Sequence, residues 1–205
     1  MTSLKPSFHS LHLLSGKGAV LFMAPEGREG TTTAMIATGE VLCSGAANVL
    51  LVDLNFQSPA LDRRFGLPRK PGLMNLLAMG EDRLEDVIHL GHTLSEPRRF
   101  DVLTLGEREE TALSSLDGFE PLMEQLRSRY DHILLDSCPL QHGPWLRALM
   151  PFFDGVVLVV SCERTRREVA QHLKATLDEL DAPLLGVMLN RREYYVPGFL
   201  YHSNS

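Results

Sequence analysis

The sequence predicts a doubly wound α/β domain, a mostly parallel sheet covered by helices on both faces. Three observations predict it. Short apolar runs alternate with helical patterns along the whole chain, the order of successive βαβ units. Several runs, above all Gly155–Val160 (GVVLVV), are hydrophobic without polar alternation, as strands buried on both faces are. The first run passes through a glycine-containing loop into a helix, the layout of an anion-binding turn. A chain of 205 residues suits one such domain with a sizeable core.

In chain order, residues 1–18 read as a leader outside the core. Ala19–Ala24 is the first strand. A helix of small residues runs from about Thr32 to Cys43, and Ser44-Gly45 ends it. Val49–Asp53 is the second strand. Residues 55–72 are rich in Pro, Arg and Gly and read as loop, with one helical turn near Leu61–Phe65 and solvated basic pairs at Arg63-Arg64 and Arg69-Lys70. Leu73–Met79 and Leu84–Leu90 are short helical patterns split by Gly80. Phe100–Leu105 is the third strand, followed by a loop over 107–118. Phe119–Arg129 is amphipathic, with Leu122, Met123 and Leu126 on one face. His132–Asp136 and Gly155–Val160 are strands, Thr165–Leu180 a long helix and Leu184–Leu189 the last strand. The domain therefore spans 19–190, and residues 191–205 form a tyrosine-containing tail.

Composition narrows the function. A formal net charge of −6 argues against nucleic acid as the main partner, because phosphate backbones need a basic surface. Cys43, Cys138 and Cys162 form no CxxC pair, which points away from a zinc site and a disulfide framework and fits a reducing compartment. No apolar run approaches the ~20 residues of a transmembrane helix. The first residues, MTSLKPSFHSLHLLSGKG, make a poor signal peptide.

The chemistry centres on APEGREGTTTA. Glycines Gly27 and Gly30 let backbone N–H groups approach an anion, and the helix that follows adds its dipole. Against the Walker pattern GxxxxGK[ST], Gly30 matches the second glycine and Thr32 the hydroxyl residue that binds magnesium. Thr31 stands at the lysine position and Pro25 at the first glycine. On this motif alone, a phosphate site and a plain strand–helix turn have equal support. Two aspartates add weight. Asp53 closes LLVD and Asp136 closes HILLD, so both lie at the C-terminal ends of strands, where α/β folds bind ligands. An aspartate after a strand is also a common capping residue. Asp136 has the Walker-B arrangement, in which the carboxylate holds magnesium.

At these residues the chain resembles the cytoplasmic kinase domain of bacterial tyrosine autokinases (BY-kinases of the CpsD/CapB type), within the MinD/ParA-like class of P-loop ATPases. GTTTA resembles the Walker A segment. VLLVDLNFQSPALDRRFGL resembles the Walker A′ strand with its proline-containing loop, and PGLMNLLAMGEDRLEDVI the segment after it. YDHILLDSCP resembles Walker B, and DGVVLVVSCERTRRE and LLGVMLNRREYY the last two strands. The resemblance implies a P-loop NTPase-like fold. It also implies nucleotide contacts from Gly27, Arg28, Glu29, Gly30, Thr31, Thr32, Thr33, Asn190 and Arg191, with Asn190 approaching the adenine. Magnesium would lie at Thr32, Asp53 and Asp136, and Asp53 and Asp136 would be the catalytic carboxylates. Tyr194, Tyr195 and Tyr201 fall where those kinases carry phosphorylated tyrosines; packing on the body or docking on a partner is the preferred reading for them.

The departures fall on the chemistry. Besides Thr31, the extra lysine of MinD-like loops is Glu26, the second aspartate of Walker A′ is Asn55, and the basic residue after it is Gln57. A lysine ~3–4 Å from phosphate oxygens is worth about 4 kcal/mol at an effective dielectric near 20. Arg28 and Lys17 are the candidates to replace it. KPSFHSLHLL lacks the ExxRxxR segment with which the kinases build rings. The expectation is a degenerate pseudo-kinase or pseudo-ATPase of exopolysaccharide or capsule export. It would be cytoplasmic and held near the inner membrane by a Wzz-like polysaccharide copolymerase or another assembly protein, with a homo-oligomer as a further option. ATP and Mg2+ would be its cofactors if the site works, and otherwise it would have none. Two alternatives stay open: an active ATP-dependent tyrosine autokinase or ATPase, and a MinD/ParA-like positioning ATPase.

Overall fold

The computed structural model describes residues 16–79, 83–92, 99–107, 118–162 and 164–190. Most of the predicted leader, Gly80, most of the 107–118 loop, Arg191 and the three tail tyrosines Tyr194, Tyr195 and Tyr201 lie outside the described residues.

Among the described residues, seven strands form one sheet: β1 (Gly18–Met23), β2 (Val49–Leu54), β3 (Ile88–His92), β4 (Arg99–Leu103), β5 (His132–Ser137), β6 (Gly155–Ser161) and β7 (Leu184–Asn190). Their order across the sheet is β3-β4-β2-β5-β1-β6-β7. Every neighbouring pair is parallel except β3–β4. The helices are α1 (Thr31–Ser44), α2 (Leu61–Phe65), α3 (Leu73–Met79), α4 (Leu84–Val87), α5 (Phe119–Arg129), α6 (Leu146–Leu149) and α7 (Arg167–Glu179).

Successive strand residues point to opposite faces, so each apolar run feeds two cores. On one face Leu21, Val52, Leu135 and Leu158 pack with Leu122 and Leu126 of α5 and Leu173 and Leu177 of α7. On the other, Val20, Phe22, Leu51 and Leu134 pack with Ala34 and Met35 of α1 and Leu61 of α2. The small residues of α1 let it lie close to the sheet. A Cβ at Gly39 would come 3.0 Å from the Leu51 side chain.

One predicted element differs. The helix expected over Leu84–Leu90 stops at Val87, and β3 follows as an antiparallel edge strand. Leu84, Val87 and Ile88 have helical spacing, which conceals the switch. Gly91 makes the strand possible. It pairs with Phe100, and a Cβ there would sit 2.7 Å from the Phe100 ring. The strand expected over Phe100–Leu105 ends at Leu103, and the next two carbonyls serve α3 instead. Thr104 O accepts from Leu73 N at 2.8 Å and Leu105 O from Met74 N at 2.9 Å. Among the described residues no helix is long and apolar enough to cross a membrane.

The join between α3 and the end of β4 depends on a close backbone approach. A Cβ on Gly72 would meet Gly106 N at 2.4 Å and Thr104 O at 2.6 Å. Both are backbone atoms with no flexible end to move aside. Gly72→Ala is expected to cost about 1–3 kcal/mol, read as a lower urea midpoint at unchanged slope.

Candidate functional site

The site is built at the C-terminal edge of the sheet. The loop after β1 leaves at Ala24 and enters α1 through two left-handed residues, Arg28 (φ 69°) and Gly30 (φ 88°). Gly30 is required twice over: its φ suits glycine, and a Cβ there would lie 2.1 Å from Asn190 Nδ2. That amide, from the end of β7, donates to the Glu29 carbonyl at 2.7 Å, so Asn190 reaches the loop backbone. No side chain caps α1, and its first turn holds no acid. The N–H groups of this turn therefore remain to be satisfied by a ligand or solvent.

The three threonines diverge. Thr31 is buried, and Thr33 is exposed and accepts a hydrogen bond from Arg64 Nη2 at 3.2 Å. Thr32 donates to Asp136 Oδ2 at 2.5 Å. Glu29 is 2% exposed and turns beneath the loop, where its Oε2 accepts from Ser161 N at 3.3 Å and its Oε1 has no partner. Burial pushes the Glu29 carboxyl up, against hydrogen bonds from Thr165 and the Ser161 backbone. Gly27 is exposed and nothing crowds it.

Asp53 and Asp136 are register partners on β2 and β5, and both are fully buried. Asp53 spends both oxygens on backbone: Oδ1 accepts from Asn55 N at 2.9 Å, and Oδ2 from Ala60 N at 2.8 Å and Leu61 N at 3.0 Å. It thereby fixes the start of α2. Asp136 Oδ1 has no partner. Burial first, then the neighbouring Asp53 charge, push Asp136 up to about 8, against the Thr32 hydrogen bond. Burial also raises Asp53, while its three N–H donors act the other way.

Magnesium takes one or two carboxylates and leaves its other positions to phosphate and water. Thr32 Oγ1 with the orphaned Asp136 oxygen fits that donor set, and Asp53 stands beside it with its oxygens engaged. Among the described residues no cluster of three or more His, Cys, Asp or Glu side chains forms a richer metal site.

The two candidate replacement cations fare differently. Lys17 stands before β1 at the opposite edge of the sheet and pairs with Asp131 at 2.5 Å. A six-residue strand, about 20 Å, separates it from the loop, so it is not a substitute. Arg28 is exposed on the loop and makes no hydrogen bond or ion pair with a described residue. The structure adds Arg64, one of the basic pair that the sequence places in solvent. Its position on a helical turn was legible, but the packing of that turn against α1 was not.

No family model matches the chain. Among curated relatives, it is 28% identical over 179 residues to the putative tyrosine-protein kinase EpsB of Ralstonia nicotianae, covering 86% of this chain and 23% of that protein. It is 22% identical over 158 residues to the succinoglycan biosynthesis transport protein ExoP of Rhizobium meliloti, covering 75% of this chain and 20% of that one. The chain thus spans less than a quarter of either relative. Among solved structures, the VpsO kinase domain aligns with a TM-score of 0.76 and 30% identity over 86% of each chain. A ParA family ATPase from Chlorobium tepidum shares the fold, with a TM-score of 0.65 and 20% identity over 85% of this chain and 74% of its own.

The buried aspartate pair makes stability pH-dependent. Asp136 titrates near its ordinary 3.8 when unfolded and near 8 when folded. Between those values the folded state holds the extra proton. The stabilising contribution is full below the lower value and is lost as pH rises through the upper one. Without metal or nucleotide, the urea midpoint is expected to fall progressively between about pH 4 and 8 and to level off above that. Asp136→Asn, which keeps an acceptor for Thr32, should flatten that fall; an equally steep fall in the variant would contradict the assignment.

Proposed function

The chain belongs to the bacterial tyrosine-kinase (BY-kinase) family, and from that membership we propose that it is a degenerate domain that binds nucleotide weakly and does not transfer phosphate. The observation that carries this reading is Thr31. The loop keeps the left-handed Gly30, an uncapped helix start and the Thr32–Asp136 contact, yet the residue at the lysine position is a buried neutral side chain. A lysine there would contribute about 4 kcal/mol toward phosphate and would stabilise the charge that develops in transfer.

Each retained part has a role in binding. The first-turn N–H groups of α1 receive phosphate oxygens. Thr32 and ionised Asp136 hold the magnesium that accompanies a nucleotide, and that ion supplies charge neutralisation. Asp136 must lose its proton to do so, so metal binding is weaker below about pH 8. Asp53 acts in this reading as the clamp on α2.

We place the protein in exopolysaccharide or capsule assembly, at the cytoplasmic face of the inner membrane, as a regulator or partner of a polysaccharide copolymerase. Support comes from the similarity to ExoP, a succinoglycan biosynthesis transport protein. The tail with Tyr194, Tyr195 and Tyr201 is proposed as a docking segment for that partner.

The test is calorimetry with Mg-ATP together with a phosphate-release assay and an anti-phosphotyrosine blot. Weak binding with neither phosphate release nor phosphotyrosine is expected. Thr31→Lys should tighten binding by about tenfold or more, since tenfold needs only about 1.4 kcal/mol. Sustained phosphate release or tyrosine phosphorylation by the unmodified chain would establish the active alternative instead.

A further inference from the structure

We propose that Arg64 is the phosphate-contacting cation of this cradle, and that it grips a nucleoside di- or triphosphate from α2 in place of a lysine at position 31. The proposal rests on the reading of the loop as a nucleotide cradle.

The geometry begins at Asp53. Its carboxylate accepts from Ala60 N and Leu61 N and so sets where α2 starts. Leu61 is fully buried, and Phe65 stacks edge-on against Phe100 at 5.4 Å, which pins both ends of the short helix to the sheet. Between these anchors, Arg64 extends to α1 and donates from Nη2 to Thr33 Oγ1 at 3.2 Å. Thr33 belongs to the uncapped first turn, whose N–H groups await an anion.

Three further observations favour this arginine. It makes no ion pair among the described residues, so its charge is not already neutralised. One hydrogen bond to a neutral hydroxyl leaves most of its five donors for a planar, bidentate grip on phosphate. The buried, unpartnered Oδ1 of Asp136 lies on the carboxylate bonded to Thr32, the residue before Thr33, and marks the same turn as a place for the cation that accompanies a phosphate. The neighbouring Arg63 is different, since its Nη2 donates to the Pro59 carbonyl within its own segment at 2.6 Å.

The position also has a chemical consequence. A guanidinium at the flank of α1 neutralises bound phosphate in the ground state. It does not occupy the site of residue 31, from which a lysine would act on the transferring group. Binding is then retained without transfer.

The experiment titrates the full chain with Mg-ADP by calorimetry, comparing Arg64→Ala, Arg64→Lys, Arg63→Ala, Thr31→Lys and the double variant Thr31→Lys/Arg64→Ala. Matching thermal melts establish that each variant folds. Arg64→Ala should weaken binding by about tenfold or more. Arg64→Lys should lose less, and Arg63→Ala, with the same change of charge on the same helix, should bind as the unmodified chain does. In the double variant the new lysine should restore affinity. Equal losses for Arg63→Ala and Arg64→Ala, or none for Arg64→Ala, would overturn the proposal and leave the weak-binding reading standing. Binding by Thr31→Lys with none by the unmodified chain would also overturn it. Absence of binding in both chains would remove the cradle reading itself.

Discussion

Two carboxylates placed side by side constrain the whole C-terminal edge of the sheet. Asp53 and Asp136 face each other across β2 and β5 with no exposure to solvent. Two negative charges ~5 Å apart at an effective dielectric near 20 repel by about 3 kcal/mol, before any cost of burial. The fold resolves this in two ways. Asp53 has three backbone N–H donors around it, which act against the upward push of burial. Asp136 has only the Thr32 hydroxyl and is pushed toward the protonated form. The asymmetry divides the labour of the pair: Asp53 is structural glue for α2, and Asp136 is the oxygen still free to meet a cation.

The same principle governs the loop. A turn that binds an anion cannot tolerate unneutralised carboxylates facing its guest, and this loop carries two carboxylates, Glu26 and Glu29. Glu29 is removed from that role by turning under the loop toward Ser161 and Thr165. Its carbonyl, held by Asn190, ties the loop to the far end of the sheet. The β7 asparagine thereby supports the shape of the cradle from behind, independently of any contact with a base.

Much of this was legible in the sequence. Apolar runs such as LLVD and HILLD must be buried strands, and each run's terminal aspartate must then lie at the ligand-binding edge. The glycine loop could be read because its backbone demands are local. What could not be read depended on direction or on contacts between distant elements. Lys17 and the loop are close in sequence, but a strand runs between them and carries the lysine to the opposite edge, where Asp131 holds it. Ile88–His92 was obscured because helical spacing in Leu84, Val87 and Ile88 continues into it, and the glycine that admits it is explained only by the Phe100 ring beside it. Arg64 was visible as a charge on a helical turn; its meeting with Thr33, 31 positions away, belongs to packing alone.

The engagement of Asp53 bears on how any metal is held. Were Asp53 a direct ligand, the ion would compete with the N–H groups of Ala60 and Leu61 for the same oxygen, Oδ2. Drawing that oxygen away would loosen the start of α2, a helix of five residues that has no other side-chain cap. A helix so short gains little from its own hydrogen bonds and depends on such end contacts and on burial. Loosening it would release Arg64 from the flank of α1. An arrangement that keeps both charges in place would therefore hold a metal through Thr32 and Asp136 and leave Asp53 with the backbone. On the Arg64 proposal, one carboxylate then positions the cation that meets the phosphate, while its partner across the sheet meets the cation that accompanies it.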